Sequence, residues 1–180
     1  MNILAVESSC DETAVAIVAD GRKVLTDCIA SQVDLHRIYG GVVPEIASRK
    51  HVEAIAGLTD KALADAGVTR QDIDAVAVTY GPGLIGALLV GVNFAKSFAF
   101  ANNIPLVAVN HIHAHVGAAY LAHQGLKAPF VALVVSGGHT QFYRVDTDTE
   151  YTEIGGTRDD AAGESFDKVG RVIGMPYPGG

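Results

Sequence analysis

One pattern in this chain constrains its fold more than any other, and it occurs twice. The stretch ILAVESSCDETAVAIV, residues 3–18, sets two apolar runs on either side of a short polar turn, SSCDE. The stretch FVALVVSGGHTQFYRV, residues 130–145, does the same around SGGHT. Apolar runs of this length, bounded by Ser, Gly and Asp, read as strands joined by a turn. A unit that recurs so far along the chain reads as the start of a second copy of one fold.

The remaining segments fit around these two hairpins. Residues 2–7 are a strand, TAVAIVA is a second, Asp20-Gly21 suits a hairpin turn, and KVLTDCIA is a third strand. Pro44 can open a helix and Gly67 can close it. Between them Ile46, Val52, Ile55, Thr59, Ala62, Leu63 and Ala66 keep helical spacing. DAVAVTY, 74–80, is a fourth strand, LIGALLVGVNFAKSFAFA, 84–101, a second helix, and PLVAVN, 105–110, a fifth strand. Asn110 is a natural N-cap for a third helix. Three antiparallel strands followed by crossover units predict an α/β fold: a mixed sheet with helices on its faces, as in ribonuclease-H-like folds. Residues 1–125 would complete a first lobe. Residues 126–180 would begin a second, with YTEIGG as a further strand and a helix in DDAAGESFDKVGRVIG. The second copy is unfinished at residue 180, which predicts the front part of a duplicated two-lobe protein.

Composition narrows the function. About half the chain, 49%, is hydrophobic, enough for a real core. The formal net charge of −7, from 20 acids and 13 bases, does not by itself make a nucleic-acid binder. Two cysteines, Cys10 and Cys28, suit a reducing cytosol better than a disulfide scaffold. The N-terminus lacks the basic start and long apolar middle of a signal peptide, so a cytoplasmic location is expected. The most apolar segment, 84–101, is interrupted by Asn93 and Lys96 and reads as a buried helix rather than a membrane span.

NHIHAHVGAAY, 110–120, is the densest functional stretch. On a helix His111 and His115 project from one face, and His113 lies about 200° around from each. Two imidazoles alone do not make a metal site, since a catalytic divalent ion usually takes three protein ligands. The glutamate of an H-E-x-x-H peptidase helix is absent. GPGLIG, 81–86, fits a dinucleotide fingerprint literally, but no acid follows between Gly81 and Asn110. Tight turning and close helix packing account for its glycines. The two polar turns would face each other across the cleft of a duplicated fold, where small residues let backbone N–H groups approach a ligand. In RDDAAGESFDKVG, acids in a first helical turn are ordinary dipole complements. Asp167 is also a candidate acceptor for a ribose hydroxyl.

Together VESSCDET, YGGVVPEIASRKH, GPGLIGALLVG, NHIHAH, VSGGHTQ and DDAAGESFDK resemble the TsaD family of tRNA threonylcarbamoyltransferases. The motifs occur in order over essentially the whole chain, which corresponds to the first half of such a protein. The resemblance implies the duplicated actin-like, Hsp70-like (ASKHA) architecture. It also implies transfer of a threonylcarbamoyl group from threonylcarbamoyl-AMP to N6 of the adenosine 3′ of the tRNA anticodon. His111 and His115 would hold one divalent metal ion per subunit, iron first, with zinc or magnesium as alternatives. The third protein ligand would be an aspartate beyond Gly180. Val134, Val135, Ser136, Gly137 and Gly138 match the family's substrate-binding loop, and Asp167 and Gly180 match further substrate contacts. Asp11, Glu12 and His139 match polar positions near the reacting group, with Glu12 the choice for a base. TsaB and TsaE would be partners, and no membrane association is implied.

The competing expectations are another actin-like carbamoyltransferase or kinase, a non-catalytic scaffold of a tRNA-modification complex, and a metallopeptidase. A scaffold would be expected to lack the histidine pair. The fragment is expected to be inactive alone, and its open second lobe to favour self-association.

Overall fold

The structure is a computed structural model and describes residues 1–179. The chain divides into two compact units, 1–36 with 42–111, and 37–41 with 112–180.

The first unit is built on a five-stranded sheet. β1 (Asn2–Glu7), β2 (Glu12–Ala19) and β3 (Lys23–Ser31) form an antiparallel meander. Asp20 and Gly21 between β2 and β3 both have positive φ, 52° and 78°, as the tight hairpin turn there requires. The chain then passes through a short helix, α1 (Val33–Arg37), to a long helix, α2 (Pro44–Ala66). Pro44 opens α2 and Gly67, left-handed at φ 67°, closes it with its N–H on the carbonyls of Ala64 and Leu63. β4 (Ala75–Gly81), α3 (Ile85–Asn102) and β5 (Leu106–Asn110) follow as two crossovers. β4 lies parallel to β1 and β5 parallel to β4, which gives the sheet order β3-β2-β1-β4-β5. Alternate residues Leu4 and Val6 of β1, Val15 and Ile17 of β2, and Val76 and Val78 of β4 are buried. They pack with Ile55, Ala62 and Leu63 of α2 and Ala95 and Ala99 of α3. α3, the apolar segment, is long and apolar enough to cross a membrane by composition, and it lies against α2 and β4.

The second unit begins inside α4 (His111–Ala122). β6 (Phe130–Val135), β7 (Thr140–Thr147) and β8 (Glu150–Gly156) form a three-stranded antiparallel sheet, and α5 (Ala162–Val172) follows. The strand order repeats that of β1-β2-β3, so the second hairpin belongs to a second copy of the meander. The division at residue 125 expected from the sequence differs from the one the packing gives. Ile112, Val116 and Tyr120 of α4 are buried, and the first two join Val134, Tyr143 and Val145 in the second core. Apolar burial therefore ties α4, past its first residue, to the second sheet.

Candidate functional site

In the first unit the polar turn after β1 is fixed from three sides. Ser8 is buried, its hydroxyl donating to the carbonyl of Ala87 at 2.9 Å and accepting from the Gly91 N–H at 3.1 Å. The Leu84 N–H donates to the Ser9 carbonyl at 2.7 Å. A Cβ on Gly83 would sit 2.6 Å from the Ser9 carbonyl oxygen, and one on Gly86 2.5 Å from the Ser48 hydroxyl. Close approach of the start of α3 to this turn therefore requires Gly83, and its approach to Ser48 of α2 requires Gly86, in line with the packing reading, while a Cβ on Gly81 would meet nothing within 4 Å. The third support is His51, wholly buried on α2. Its Nδ1 lies 2.8 Å from the Thr13 hydroxyl and its Nε2 2.9 Å from the Cys10 carbonyl. A carbonyl only accepts, so Nε2 carries the proton and Nδ1 accepts from Thr13.

At the end of β1, Glu7 reaches His111. Its Oε2 is 3.2 Å from His111 Nδ1, the Ser9 hydroxyl lies 3.1 Å from the same nitrogen, and the Ser9 N–H donates to Glu7 Oε1. Burial alone would push the Glu7 carboxyl up, but hydrogen bonds from His111, Ser9 and Thr79 outweigh it and bring it to about 2. An ionised carboxylate only accepts, which places a proton on His111 Nδ1 and turns its Nε2 away from Glu7. Cys10, though exposed, is no thiolate nucleophile: partial burial of the sulfur, then the charge of Asp11, pushes its thiol up to about 12. The Asp11 carbonyl accepts from the Gln32 N–H at 3.0 Å, and Glu12 opens β2 with its side chain exposed.

The second unit gathers a different set. The Ser136 N–H donates to the His139 carbonyl at 2.8 Å, and the His139 N–H to the Ser136 hydroxyl at 3.1 Å. This closes the SGGH turn and leaves Gly137 and Gly138 exposed at its tip. Val134 is buried and Val135 exposed, as alternate residues of β6. The start of α5 docks on the turn: the Gly163 N–H donates to the Ser136 carbonyl at 3.1 Å and the Ala162 N–H to the Thr140 hydroxyl at 2.9 Å. His115 is exposed and lines a cleft of about 460 Å³ with Val116, Ala119, Val134 and Ser136. His113 faces its own core, stacked on Tyr151 at 4.4 Å and edge-on to Tyr143 at 5.7 Å. Burial lowers its pKa. Asp167 Oδ1 accepts from the Gly179 N–H at 2.8 Å, and Gly180 lies outside the described residues.

For a metal, His111 and His115 stand one turn apart on α4. The donor chemistry fits on one count, the Glu7-held tautomer of His111. Among the described residues no cluster of three or more His, Cys, Asp or Glu could hold an ion. The sequence reading missed Glu7, His51, Thr79 and Gly163. For Glu7 the one signal was an acid ending an apolar strand. The others act through tertiary contacts that spacing does not reveal.

Comparison with known proteins sharpens this. The family model described as TsaD, tRNA N6-adenosine threonylcarbamoyltransferase, matches residues 23–180. A protein of that name from Clostridium perfringens is 59% identical over 178 residues, covering 99% of this chain and 52% of its own length. Another from Moorella thermoacetica is 60% identical over 179 residues, covering 99% and 52%. The chain thus spans about half the length of the curated relatives it matches. Among solved structures, YeaZ from Pseudomonas aeruginosa aligns with TM-score 0.58 at 22% identity, over 91% of this chain and 70% of that one. The ethanolamine utilization protein EutJ from Carboxydothermus hydrogenoformans aligns with TM-score 0.55 at 14% identity, over 98% and 58%. These likenesses show the fold, in line with the actin-like (ASKHA) architecture that the resemblance to the TsaD family implies.

Proposed function

Since this chain belongs to the TsaD family of tRNA N6-adenosine threonylcarbamoyltransferases, we propose that it supplies part of an enzyme that transfers threonylcarbamoyl from threonylcarbamoyl-AMP to N6 of the adenosine 3′ of the tRNA anticodon. The observation that carries this reading is the 59% identity to a named transferase across nearly the whole chain. His111 and His115 would hold a divalent ion, iron first, together with an aspartate outside residues 1–180. When bound, that ion supplies Lewis-acid polarisation of carbonyl or phosphate oxygens.

The chain's own residues do the rest. Glu7 holds His111 in one tautomer. The exposed N–H groups of Gly137 and Gly138 stabilise negative charge developing on the carbamoyl oxygen. Asp167, already oriented by Gly179, meets the ribose. The adenine N6 amine attacks the carbamoyl carbon, its proton passes to Glu12, and the bond to AMP breaks with its electron pair leaving on the phosphate. Asp11 and His139 are placed by the same reading near the reacting group. tRNA, TsaB and TsaE are the partners of this proposal, and the cytoplasm its place.

The histidine assignment is tested in a protein of the relatives' length that carries this sequence. His111→Ala and His115→Ala should each cut bound metal at least tenfold by elemental analysis, while His113→Ala keeps it. Equal loss from all three variants contradicts the assignment.

A further inference from the structure

The polar turn after β1 is held on its α2 side by a buried imidazole. His51 donates from Nε2 to the Cys10 carbonyl at 2.9 Å and accepts at Nδ1 from the Thr13 hydroxyl at 2.8 Å. These two partners bracket Asp11 and Glu12 in sequence, and Thr13 is itself wholly buried. Between them the Asp11 carbonyl accepts from the Gln32 N–H at 3.0 Å. Gln32 is buried too, its Oε1 lying 3.1 Å from Nε2 of His36, a second wholly buried imidazole. The backbone on both sides of the acid pair is thus fixed from within, while Asp11 is partly exposed and Glu12 exposed.

Stability does not explain why position 51 is polar. Packing of α2 on the sheet is already supplied by Ile55, Ala62 and Leu63. A buried polar group and its partners add little net stability over apolar groups of the same shape. What a fully satisfied buried network supplies is one fixed geometry. We propose that His51 is a positioning residue for the transfer: it sets the backbone from which Asp11 and Glu12 meet the reacting group, and, wholly buried, touches no substrate itself. The proposal rests on the transferase reading, which puts that acid pair near the reacting group. Misplacing a group that acts on the reacting atoms by about 1 Å can cost about a hundredfold in rate.

Cys10 offers a reporter inside the same turn. Partial burial, then the charge of Asp11, pushes its thiol up to about 12, and both influences depend on how the turn is held. The test uses a protein of the relatives' length that carries this sequence, assayed with tRNA, threonylcarbamoyl-AMP, divalent metal and the TsaB and TsaE partners. His51→Leu should lower kcat by about tenfold or more, with KM for both substrates within about twofold and bound metal unchanged. His51→Gln, which keeps a donor and an acceptor, should recover most of that loss. Thr13→Val removes only the Nδ1 partner and should lower kcat by a smaller factor; it decides the matter where His51→Leu does not fold. Iodoacetamide should alkylate Cys10, located by peptide mass, about tenfold faster in His51→Leu than in the parent. A parent that makes no modified tRNA contradicts the transferase reading and takes this proposal with it. An active parent with kcat unchanged in His51→Leu and Thr13→Val overturns the proposal alone. So does a loss of kcat with no change at Cys10, or one that tracks loss of metal.

Discussion

The carboxylate of Glu7 stands at the end of β1 under two opposed influences. Partial burial raises the cost of its charge, while His111, Ser9 and Thr79 stabilise that charge. The hydrogen bonds win, so its folded-state pKa, about 2, lies below the ordinary 4.5. Stability from this group is therefore present above pH 4.5 and is lost as pH falls through about 2. Glu7→Gln should cost on the order of 2 kcal/mol at neutral pH, a figure discounted because the side chain keeps some solvent. The gap between the parent and the variant should close on acidification below pH 4.5, as followed by urea unfolding at a series of pH values. A gap of constant size down to pH 2 would show that the carboxylate's charge is not what matters. His51 works differently, since both ring nitrogens are committed to the turn and the ring is wholly buried.

Helices in this chain approach their neighbours through missing side chains. Gly83, Gly86 and Gly91 let α3 contact Ser9, Ser48 and Ser8, and Gly163 does the same for α5. A Cβ on Gly163 would stand 2.7 Å from the Ser136 carbonyl oxygen and 2.8 Å from Gly137 backbone, which cannot swing away as a long side chain could. Gly163→Ala should destabilise the chain by about 1–3 kcal/mol and displace the SGGH turn. Gly57→Ala on α2, where nothing lies within 4 Å of the new methyl, should stabilise it by about 0.5–1 kcal/mol. Denaturant unfolding of the two variants checks both signs. These contacts mark the limit of what the sequence reveals. The ends of α2 were legible because Pro44 and Gly67 have local reasons to be there. Its buried stripe was legible only in part: Ile55, Thr59, Ala62 and Leu63 of the expected spacing face the core, but so do Ala47 and His51, while Val52 is 63% exposed. A small residue and a histidine carry the packing there, and an apolar count overlooks both. The placement of His111 and His115 one turn apart on α4 was legible from spacing, but Glu7 behind His111 comes from 104 residues away, across the sheet.

At the scale of the whole molecule, the repeated hairpin is the feature that sequence and structure share most fully. β1-β2-β3 and β6-β7-β8 are both antiparallel meanders, each with a polar turn between its first two strands. In the first unit β1 also pairs with β4 on its other side, whereas β6 has no second neighbour among the described residues. Where the first copy ends was less legible, because α4 follows β5 in sequence yet buries Ile112 and Val116 with the second sheet. The proposed function requires that residues of this chain form part of a threonylcarbamoyl transfer site. The most direct measurement incubates a protein of the relatives' length bearing this sequence with tRNA, threonylcarbamoyl-AMP, divalent metal and the TsaB and TsaE partners. The tRNA is then digested and its nucleosides weighed by mass spectrometry. The expected product is N6-threonylcarbamoyladenosine, reduced at least a hundredfold by His115→Ala and little changed by His113→Ala. Unmodified adenosine in every reaction, from a folded and metal-loaded protein, would contradict it.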